Sequence, residues 1–206
     1  MILYDYFRSS AAYRVRIALN LKGVAYARRD ILLLENQQRS PEHLARNPQG
    51  FVPALEADGK VITQSLAIIE WLDARHPEPR LIPADPDARA AAMARALVVA
   101  ADTHPLNNLR VMRRLKEMGV DEEGRNAWTR HWIAEGFAAL EAMAGGGPFL
   151  GGDAPGIADL CLVPQMYNAR RFETPLDAFP RLVAIDAAAA ALPAFAAAHP
   201  DAVAPK

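Results

Sequence analysis

The residues best suited to chemistry lie near the start of the chain, between a β-prone stretch and a helical one. Ser9 and Ser10 stand where the first helix is predicted to begin, and Arg8 precedes them. Backbone N–H groups and the positive end of the helix dipole stabilise an anion at such a position. A serine hydroxyl there can donate a hydrogen bond to a thiolate and keep it ionised near neutral pH. The same pattern is typical of a plain helix N-cap, so it predicts either a thiolate site or a cap.

Two further loops have residues suited to holding a peptide-like anion. Val52 and Pro53 come directly before a short predicted strand. A cis bond there would direct the Val52 backbone toward a ligand, although a trans proline is the commoner arrangement. Gln64 and Ser65 open the second strong helix, either as a simple N-cap or as a second anion site. Together, three loops at one end of a small sheet predict a site for an elongated, peptide-like anionic ligand.

Alternating strand and helix periodicity predicts the elements that position these loops. Strands are predicted at 2–6, 25–31, 54–57 and 61–63. One helix begins at Ser9 or Ser10 and another at Ser65, each with apolar residues on one face. The order is a βαβ unit followed by a hairpin and a helix, βαβ-ββα, in which the crossover should be right-handed.

The chain changes character near residue 80, where Pro79, Pro83 and Pro86 predict a linker. Beyond the linker, long helical stretches are predicted at 88–118, 122–143 and 157–171, followed by shorter alanine-rich helices up to about residue 198. Pro105 should break the first stretch and Pro164 should bend the third. The second half is therefore predicted to be all-α.

Composition excludes several classes of protein. The 206 residues carry 23 Lys and Arg against 24 Asp and Glu, which argues against wholesale binding to nucleic acid or anionic membranes. Cys161 is the single cysteine, so an intramolecular disulfide and a cysteine-rich zinc site are excluded, and no metal is expected. The start has no signal-peptide pattern, and no apolar run reaches the ~20 residues of a membrane span. We therefore expect a soluble, cytoplasmic protein.

Three blocks of sequence resemble the zeta class of glutathione transferases. They are Ser9-Ser10-x-x-Tyr13-Arg14-Val15-Arg16-Ile17-Ala18-Leu19, Asn47-Pro48-Gln49-x-x-Val52-Pro53-Ala54-Leu55 and Gln64-Ser65-Leu66-Ala67-Ile68-Ile69-Glu70-Trp71-Leu72. The likeness continues in His104-Pro105-Leu106-Asn107-Asn108-Leu109 and from Gly156 to Phe172, so it covers nearly the whole chain. The Ser-Ser helix start and the Gln-Ser-Leu-Ala-Ile block are fairly specific to this class, whereas Val-Pro occurs across all glutathione transferases.

The resemblance implies a glutathione transferase fold, a homodimer, and glutathione as the cofactor. The implied division is a thioredoxin-like N-terminal domain at 1–80, a linker at 81–86 and an all-helical substrate-binding domain at 87–206. By position, Ser9 and Ser10 would flank the glutathione sulfur, with Ser10 as the thiolate donor. The other implied cofactor contacts are Val52, Pro53, Gln64, Ser65, His104 and Asn108.

The activity that the resemblance implies is cis–trans isomerisation of a maleyl keto acid, either maleylacetoacetate or maleylpyruvate. The double bond would be freed for rotation by reversible addition of the glutathione thiolate. Such a reaction must hold the substrate carboxylates and stabilise enolate charge, and the planar, permanently charged guanidinium group suits both tasks. We therefore predict that Arg8, Arg110 and Arg171 bind the dicarboxylic keto acid.

The chain departs from the pattern of the class at two positions. Ala11 stands where the class usually has cysteine, or threonine in a maleylpyruvate-type relative, so any contribution of that side chain is absent. Gly156 stands where the class has a serine or threonine helix cap, and glycine caps nearly as well. Asp159 can still bond backbone N–H groups there, which we interpret as a structural role.

Two alternatives remain open at this stage. A broader glutathione transferase that conjugates or dehalogenates small α-halo acids would use the same thiolate and arginines, and Ala11 leaves extra room near the sulfur. A non-enzymatic binding protein could keep the fold without the chemistry. The intact Ser9–Ser10 pair argues against this last hypothesis, because a binding module needs no thiolate donor.

Overall fold

A four-stranded sheet organises the first part of the chain and confirms the predicted βαβ-ββα order. Its strands are β1 (Ile2–Asp5), β2 (Ala27–Asp30), β3 (Ala54–Ala57) and β4 (Lys60–Thr63), arranged as β2-β1-β3-β4. β1 is parallel to β2 and antiparallel to β3, and β3 is antiparallel to β4. Asp58 and Gly59 join β3 to β4 with positive φ angles of 50° and 72°, the backbone conformation of a tight hairpin turn. The structure, a computed structural model, describes residues 1–205.

Ten α-helices lie within the described residues. They are α1 (Ser10–Leu21), α2 (Pro41–Arg46), α3 (Ser65–Arg75), α4 (Pro86–Leu97), α5 (Leu109–Glu117), α6 (Glu122–Met143), α7 (Ile157–Arg171), α8 (Pro180–Ala190), α9 (Pro193–Ala198) and α10 (Pro200–Val203). Helix α2 is missing from the sequence-based prediction, although its start carries a signal. Ser40 accepts a hydrogen bond from the backbone N–H of His43, and Pro41 is the first helical residue.

Most of helix α1 is buried, and the helix ends where the sequence predicts. Val15 and Leu19 on α1 are fully buried, as are Leu3 and Leu55 of the sheet. Gly23 has a φ of +62°, and its N–H donates to Asn20 while that of Val24 donates to Leu19. This pair of bonds is a Schellman motif, in which glycine accepts a left-handed conformation at little cost.

The predicted helical stretch at 88–118 is broken, as Pro105 indicates, but in a manner that the pattern did not foresee. Helix α4 continues into a π-helical turn at Val98–Thr103, and α5 begins only at Leu109. Thr103 faces α6 at close range, because a Cβ added to Gly136 would lie 2.1 Å from the Thr103 hydroxyl oxygen. Glycine at position 136 therefore permits this close approach of α6 to the π-helical turn.

Helix α7 has the predicted bounds, with Pro164 in its interior. Its start is held by Asp159, which is fully buried and accepts hydrogen bonds from the backbone N–H groups of Gly156 and Leu150 at 2.9 and 2.8 Å. Burial raises the pKa of the Asp159 carboxyl above its usual value, and these hydrogen bonds oppose part of that rise. The predicted structural role of Asp159 agrees with this geometry.

The described residues form two compact units. The first contains Met1–Ile82 together with the segment from Ala190 onward, and the second contains Pro83–Ala189. The sequence-based division of 1–80, 81–86 and 87–206 instead assigned the last helices to the helical domain. The physical reason for the difference is that α1 binds this last segment: Arg16 and Asn20 donate hydrogen bonds to the carbonyls of Ala198 and Ala194, each at 3.0 Å. Within the described part of the chain, none of the helices has the length and apolarity needed to cross a membrane.

Candidate functional site

Strand register brings the three predicted binding loops to one edge of the sheet. Tyr4, near the end of β1, pairs with Ala54 at the start of β3, and Ala54 pairs with Thr63 at the end of β4. Three segments begin or end within a few residues of Tyr4, Ala54 and Thr63. They are the loop before α1, the Val-Pro loop before β3 and the start of α3. The loops that carry Ser9, Ser10, Val52, Pro53, Gln64 and Ser65 therefore leave the sheet at the same edge, and their role in binding stays a prediction.

The two serines of the first loop have different environments. The Ser9 hydroxyl accepts a hydrogen bond from the backbone N–H of Ala12 at 3.2 Å, which makes Ser9 the N-cap of α1. Ser10 is the first residue of the helix and is 5% exposed. The first turn of α1 holds no acidic side chain. The capping interpretation therefore applies to Ser9, and Ser10 stays our predicted thiolate donor.

The Val52–Pro53 peptide bond is cis, the less common of the two arrangements considered from the sequence. Paired residues of β3 begin at Ala54, so Val52 lies outside the strand pairing, and it is 8% exposed. The carbonyl oxygen of Phe51, directly before it, accepts hydrogen bonds from His43 Nε2 at 2.8 Å and from Asn47 Nδ2 at 3.0 Å. A carbonyl can only accept, so His43 carries its proton on Nε2.

His43 and Asn47 thus hold the loop that presents Val52, and sequence reasoning did not find either role. Asn47 lies within one of the motif blocks, and His43 lies in none of them. Both residues belong to α2 or its C-cap, and the acceptor lies up to eight residues further along the chain. No local sequence pattern predicts these hydrogen bonds, because they depend on how α2 packs against the loop that follows it.

At the start of α3, Gln64 has a φ of +69° and makes no side-chain cap bond. Its Nε2 donates instead to Gln49 Oε1 at 2.6 Å. Ser65 is 6% exposed, and its hydroxyl accepts a hydrogen bond from Arg14 Nη1 at 3.2 Å. Arg14 therefore links α1 to the start of α3, whereas a sequence alone predicts no more than an arginine inside a helix.

Gln38 is a further residue beside this edge that the sequence did not single out. It is buried, and its Oε1 atom has no hydrogen-bond partner among the described residues. Its backbone oxygen would lie 2.9 Å from a Cβ added to Gly50, two residues before Val52, and Gly50 has a φ of +65°. A buried acceptor here suits a ligand that brings an N–H donor.

The predicted substrate-binding arginine of this unit, Arg8, is exposed. The carbon of its guanidinium group lies 4.9 Å from the centre of the Phe7 ring, within range of a cation–π interaction. The stacking restrains the side chain while leaving the edge of the guanidinium fork available to an anion.

The remaining predicted residues belong to the second unit. Asn108 is the N-cap of α5, and its Oδ1 accepts a hydrogen bond from the backbone N–H of Arg110 at 3.2 Å. His104 follows the π-helical turn, and its backbone N–H donates to Val99 at 2.8 Å. Arg171 is the last residue of α7 and is exposed, with its guanidinium carbon 5.1 Å from the centre of the Phe172 ring.

Metal chemistry finds no support in residues 1–205, which hold no group of three or more His, Cys, Asp or Glu side chains placed to bind an ion. The site instead offers hydroxyl groups, amides, backbone groups and arginines. Such groups suit an organic anion.

Comparison with known proteins supports this description. Residues 3–80 match the glutathione S-transferase N-terminal domain, and residues 122–197 match the glutathione S-transferase C-terminal domain. Maleylacetoacetate isomerase of Rhizobium meliloti (strain 1021) is 52% identical over 204 residues, covering 97% of this chain and 96% of that protein.

Two solved structures extend the similarity. The holo structure of a maleylpyruvate isomerase, described as a bacterial zeta-class glutathione S-transferase, superimposes with a TM-score of 0.96 at 44% identity and covers 99% of each chain. Maleylacetoacetate isomerase from Anaeromyxobacter dehalogenans 2CP-1, with glutathione in its active site, gives a TM-score of 0.89 at 48% identity and covers 98% of this chain and 96% of that one. These matches confirm the resemblance found in the sequence motifs. The chain belongs to the glutathione S-transferase family and, within it, to the zeta class.

Proposed function

We propose that this protein is a glutathione-dependent cis–trans isomerase that converts a maleyl keto acid, maleylacetoacetate or maleylpyruvate, into its fumaryl isomer. The observation that carries the proposal is the strand register, which groups Ser10, Val52 and Ser65 at one edge of the sheet. Relatives that are close over the full length and are named for this activity support it.

The residues at this edge fit glutathione. Ser10 supplies a nearly buried hydroxyl at a helix start without acidic side chains in its first turn, which suits a thiolate. The backbone of Val52, outside the strand pairing, suits the cysteinyl moiety. Gln64 and Ser65 suit the γ-glutamyl end, and Gln38 Oε1 offers a buried acceptor for an N–H group.

Bound glutathione would supply a thiolate nucleophile that adds reversibly to the carbon–carbon double bond. The protein's own contribution is to hold that sulfur ionised through Ser10 and the start of α1, and to bind the substrate carboxylates through arginine. Arg8 is the candidate in the first unit, and Arg110 and Arg171 are the candidates in the second. Donors placed where charge develops in the transition state are the usual source of large rate effects.

The direct test follows the absorbance of maleylpyruvate and of maleylacetoacetate with the purified protein, with and without glutathione. We expect loss of the maleyl isomer only when glutathione is present. Turnover that is unchanged without glutathione would contradict the proposal. The ratio of kcat/KM for the two substrates shows which maleyl keto acid the site prefers.

A parallel assay separates the alternatives. Ala11 is half-buried next to Ser10 in the chain, and its side chain is smaller than the cysteine or threonine usual in the class. Activity on dichloroacetate far above that on maleyl compounds would favour a transferase of α-halo acids. Absence of glutathione binding in calorimetry at millimolar concentration would favour a non-enzymatic binding protein.

The role of the second-unit arginines has its own test. Arg110→Ala and Arg171→Ala should raise KM for the keto acid while leaving glutathione affinity nearly unchanged, because each removes a predicted carboxylate contact. If KM for the keto acid rises and glutathione affinity falls by the same factor, these side chains have a structural role.

Two further parts of the proposal concern the state of the protein in the cell. We propose a homodimer, as the zeta-class resemblance implies, and a cytoplasmic location, which suits a chain whose single cysteine, Cys161, is buried and forms no disulfide. Light scattering coupled to gel filtration should give about twice the mass of one chain, and a monomer at micromolar concentration would contradict the dimer.

A further inference from the structure

We propose that Arg16 is a positioning residue for the active loop: it fixes the backbone of Phe7 and thereby the placement of Arg8, Ser9 and Ser10. This inference rests on the proposed glutathione-dependent function, since it concerns the loop that would hold the sulfur. Arg16 lies inside α1, and its place in the helix by itself suggests no role in the active loop.

Arg16 is fully buried, and each of the three nitrogens of its guanidinium group donates at least one hydrogen bond. Nη1 donates to both carboxylate oxygens of Asp5, at 2.8 and 2.9 Å. Nε donates to the carbonyl of Ala198 at 3.0 Å, and Nη2 donates to the carbonyl of Phe7 at 3.0 Å. One side chain therefore connects the end of β1, the last residue of α9 and the loop that precedes α1.

The hydrogen bond from Arg16 to Phe7 affects both predicted functions of this loop, substrate binding by Arg8 and stabilisation of the thiolate by Ser10. The Phe7 ring stacks with the Arg8 guanidinium group, so the position of Phe7 sets the position of Arg8. Ser9 is two residues further along, and its N–H donates to the carbonyl of Tyr6 at 2.8 Å. The loop is thus held on one side by the helix cap and on the other by Arg16.

Because Arg16 is buried, its guanidinium group needs several hydrogen-bond acceptors. A guanidinium ion without enough acceptors in a dry interior is strongly destabilising, so Asp5 and both carbonyls must stay in place while Arg16 is buried. Ala198 belongs to the last segment of the chain, which therefore helps to hold the loop through Arg16. Lysine cannot reproduce these contacts, because its ammonium group lacks the planar fork.

Arg28 provides a matched control. It also bonds Asp5, through Nε at 2.9 Å, and it also bonds a carbonyl of the last segment, that of Val203, at 2.7 Å. It makes no hydrogen bond to Phe7, and its other partner is Asp30 on β2. A substitution of Arg28 therefore removes one bond to Asp5 and one to the same last segment, while the bonds from Arg16 to Asp5 and to Phe7 stay in place.

The experiment compares Arg16→Lys with Arg28→Lys in three measurements. The first is the pH at which bound glutathione ionises, monitored through the ultraviolet absorbance of the thiolate. The other two are kcat and KM for the keto acid, and the melting temperature. For Arg16→Lys we expect the ionisation of bound glutathione to move up by about one pH unit. We also expect kcat/KM to fall at least tenfold, since small misplacements of catalytic groups have effects of roughly that size or larger. Arg28→Lys should lower the melting temperature while leaving ionisation and kcat close to wild type.

The outcomes separate this inference from the proposed function. A wild-type protein that shows no thiolate and no glutathione-dependent turnover contradicts the proposed function. An active wild type with an Arg16→Lys variant that loses only thermal stability overturns the positioning role. If Arg16→Lys does not fold, Asp5→Asn serves instead, because it weakens the hold on Arg16 at nearly constant volume. A smaller upward shift of the ionisation pH in that variant supports the inference, and an unchanged value overturns it.

Discussion

The starts of α1 and α7 are stabilised by different groups: a serine hydroxyl caps α1, and an aspartate carboxylate holds the start of α7. At α7 the chain supplies its own anion, since the Asp159 carboxylate accepts the N–H groups of Gly156 and Leu150. At α1 the cap is the neutral hydroxyl of Ser9, and the first turn contains no acidic residue. A helix start is structural where the chain neutralises it, and it stays suited to an external anion where the chain leaves it positive.

The largest expected effect comes from Ser10→Ala, which removes the predicted thiolate donor at α1. We expect kcat/KM to fall roughly a hundredfold, in line with the loss of one donor aimed at a reacting charge. Stability should change little, because the cap of α1 is Ser9. Steady-state kinetics measures the fall in kcat/KM, and a urea titration measures the stability. Wild-type activity in this variant would indicate that Ser9, and not Ser10, is the thiolate donor.

Asp159→Asn is the corresponding change at α7. An amide offers one oxygen where the carboxylate offers two, so one buried backbone N–H loses its acceptor. The expected loss is about 1–3 kcal/mol of unfolding free energy. Urea unfolding measures the loss. Glutathione affinity of the folded variant should match wild type, and a specific loss of affinity would contradict the structural role.

A smaller effect is expected for Ser9→Ala, which removes the cap of α1. Loss of a serine cap costs about 1 kcal/mol of stability. The pH at which bound glutathione ionises should stay within a few tenths of the wild-type value, since Ser10 is intact. An upward shift as large as that of Ser10→Ala would show that the two serines act together on the sulfur.

The smallest effect concerns pH. Burial raises the folded-state pKa of Asp159 above its usual 3.8, so the folded state holds this proton more tightly than the unfolded state does. The stabilisation is complete below pH 3.8 and is lost as the pH rises through the folded pKa. Asp159 should therefore make the slope of unfolding free energy against pH more negative in wild type than in Asp159→Asn across this interval. Equal slopes in a series of urea titrations would show that the carboxyl is not perturbed.

Much of the fold could be predicted from the sequence because its signals are local. The bounds of α6 and α7 follow from helical periodicity, and Gly23 marks the end of α1. The π-helical turn at Val98–Thr103 was not predictable in this way. It depends on the close approach of Thr103 to Gly136, two residues far apart in the chain.

In the candidate site, too, some residues could be predicted from the sequence and others could not. Motif blocks marked Ser10, Val52 and Ser65, and strand pairing then placed their loops at one edge. The residues that hold those loops escaped detection. No local pattern marks Arg14, Arg16 and His43 as supports, since their partners are distant in sequence or are backbone atoms.

The sequence by itself determined the class of the protein, the order of its elements and the residues at the candidate site, because side-chain type, spacing and turn chemistry act within a few residues. Tertiary structure alone decided which groups support that site and where the last segment packs. A buried arginine such as Arg16 needs several acceptors at once. Only the folded chain brings Asp5, Phe7 and Ala198 within reach of one guanidinium group.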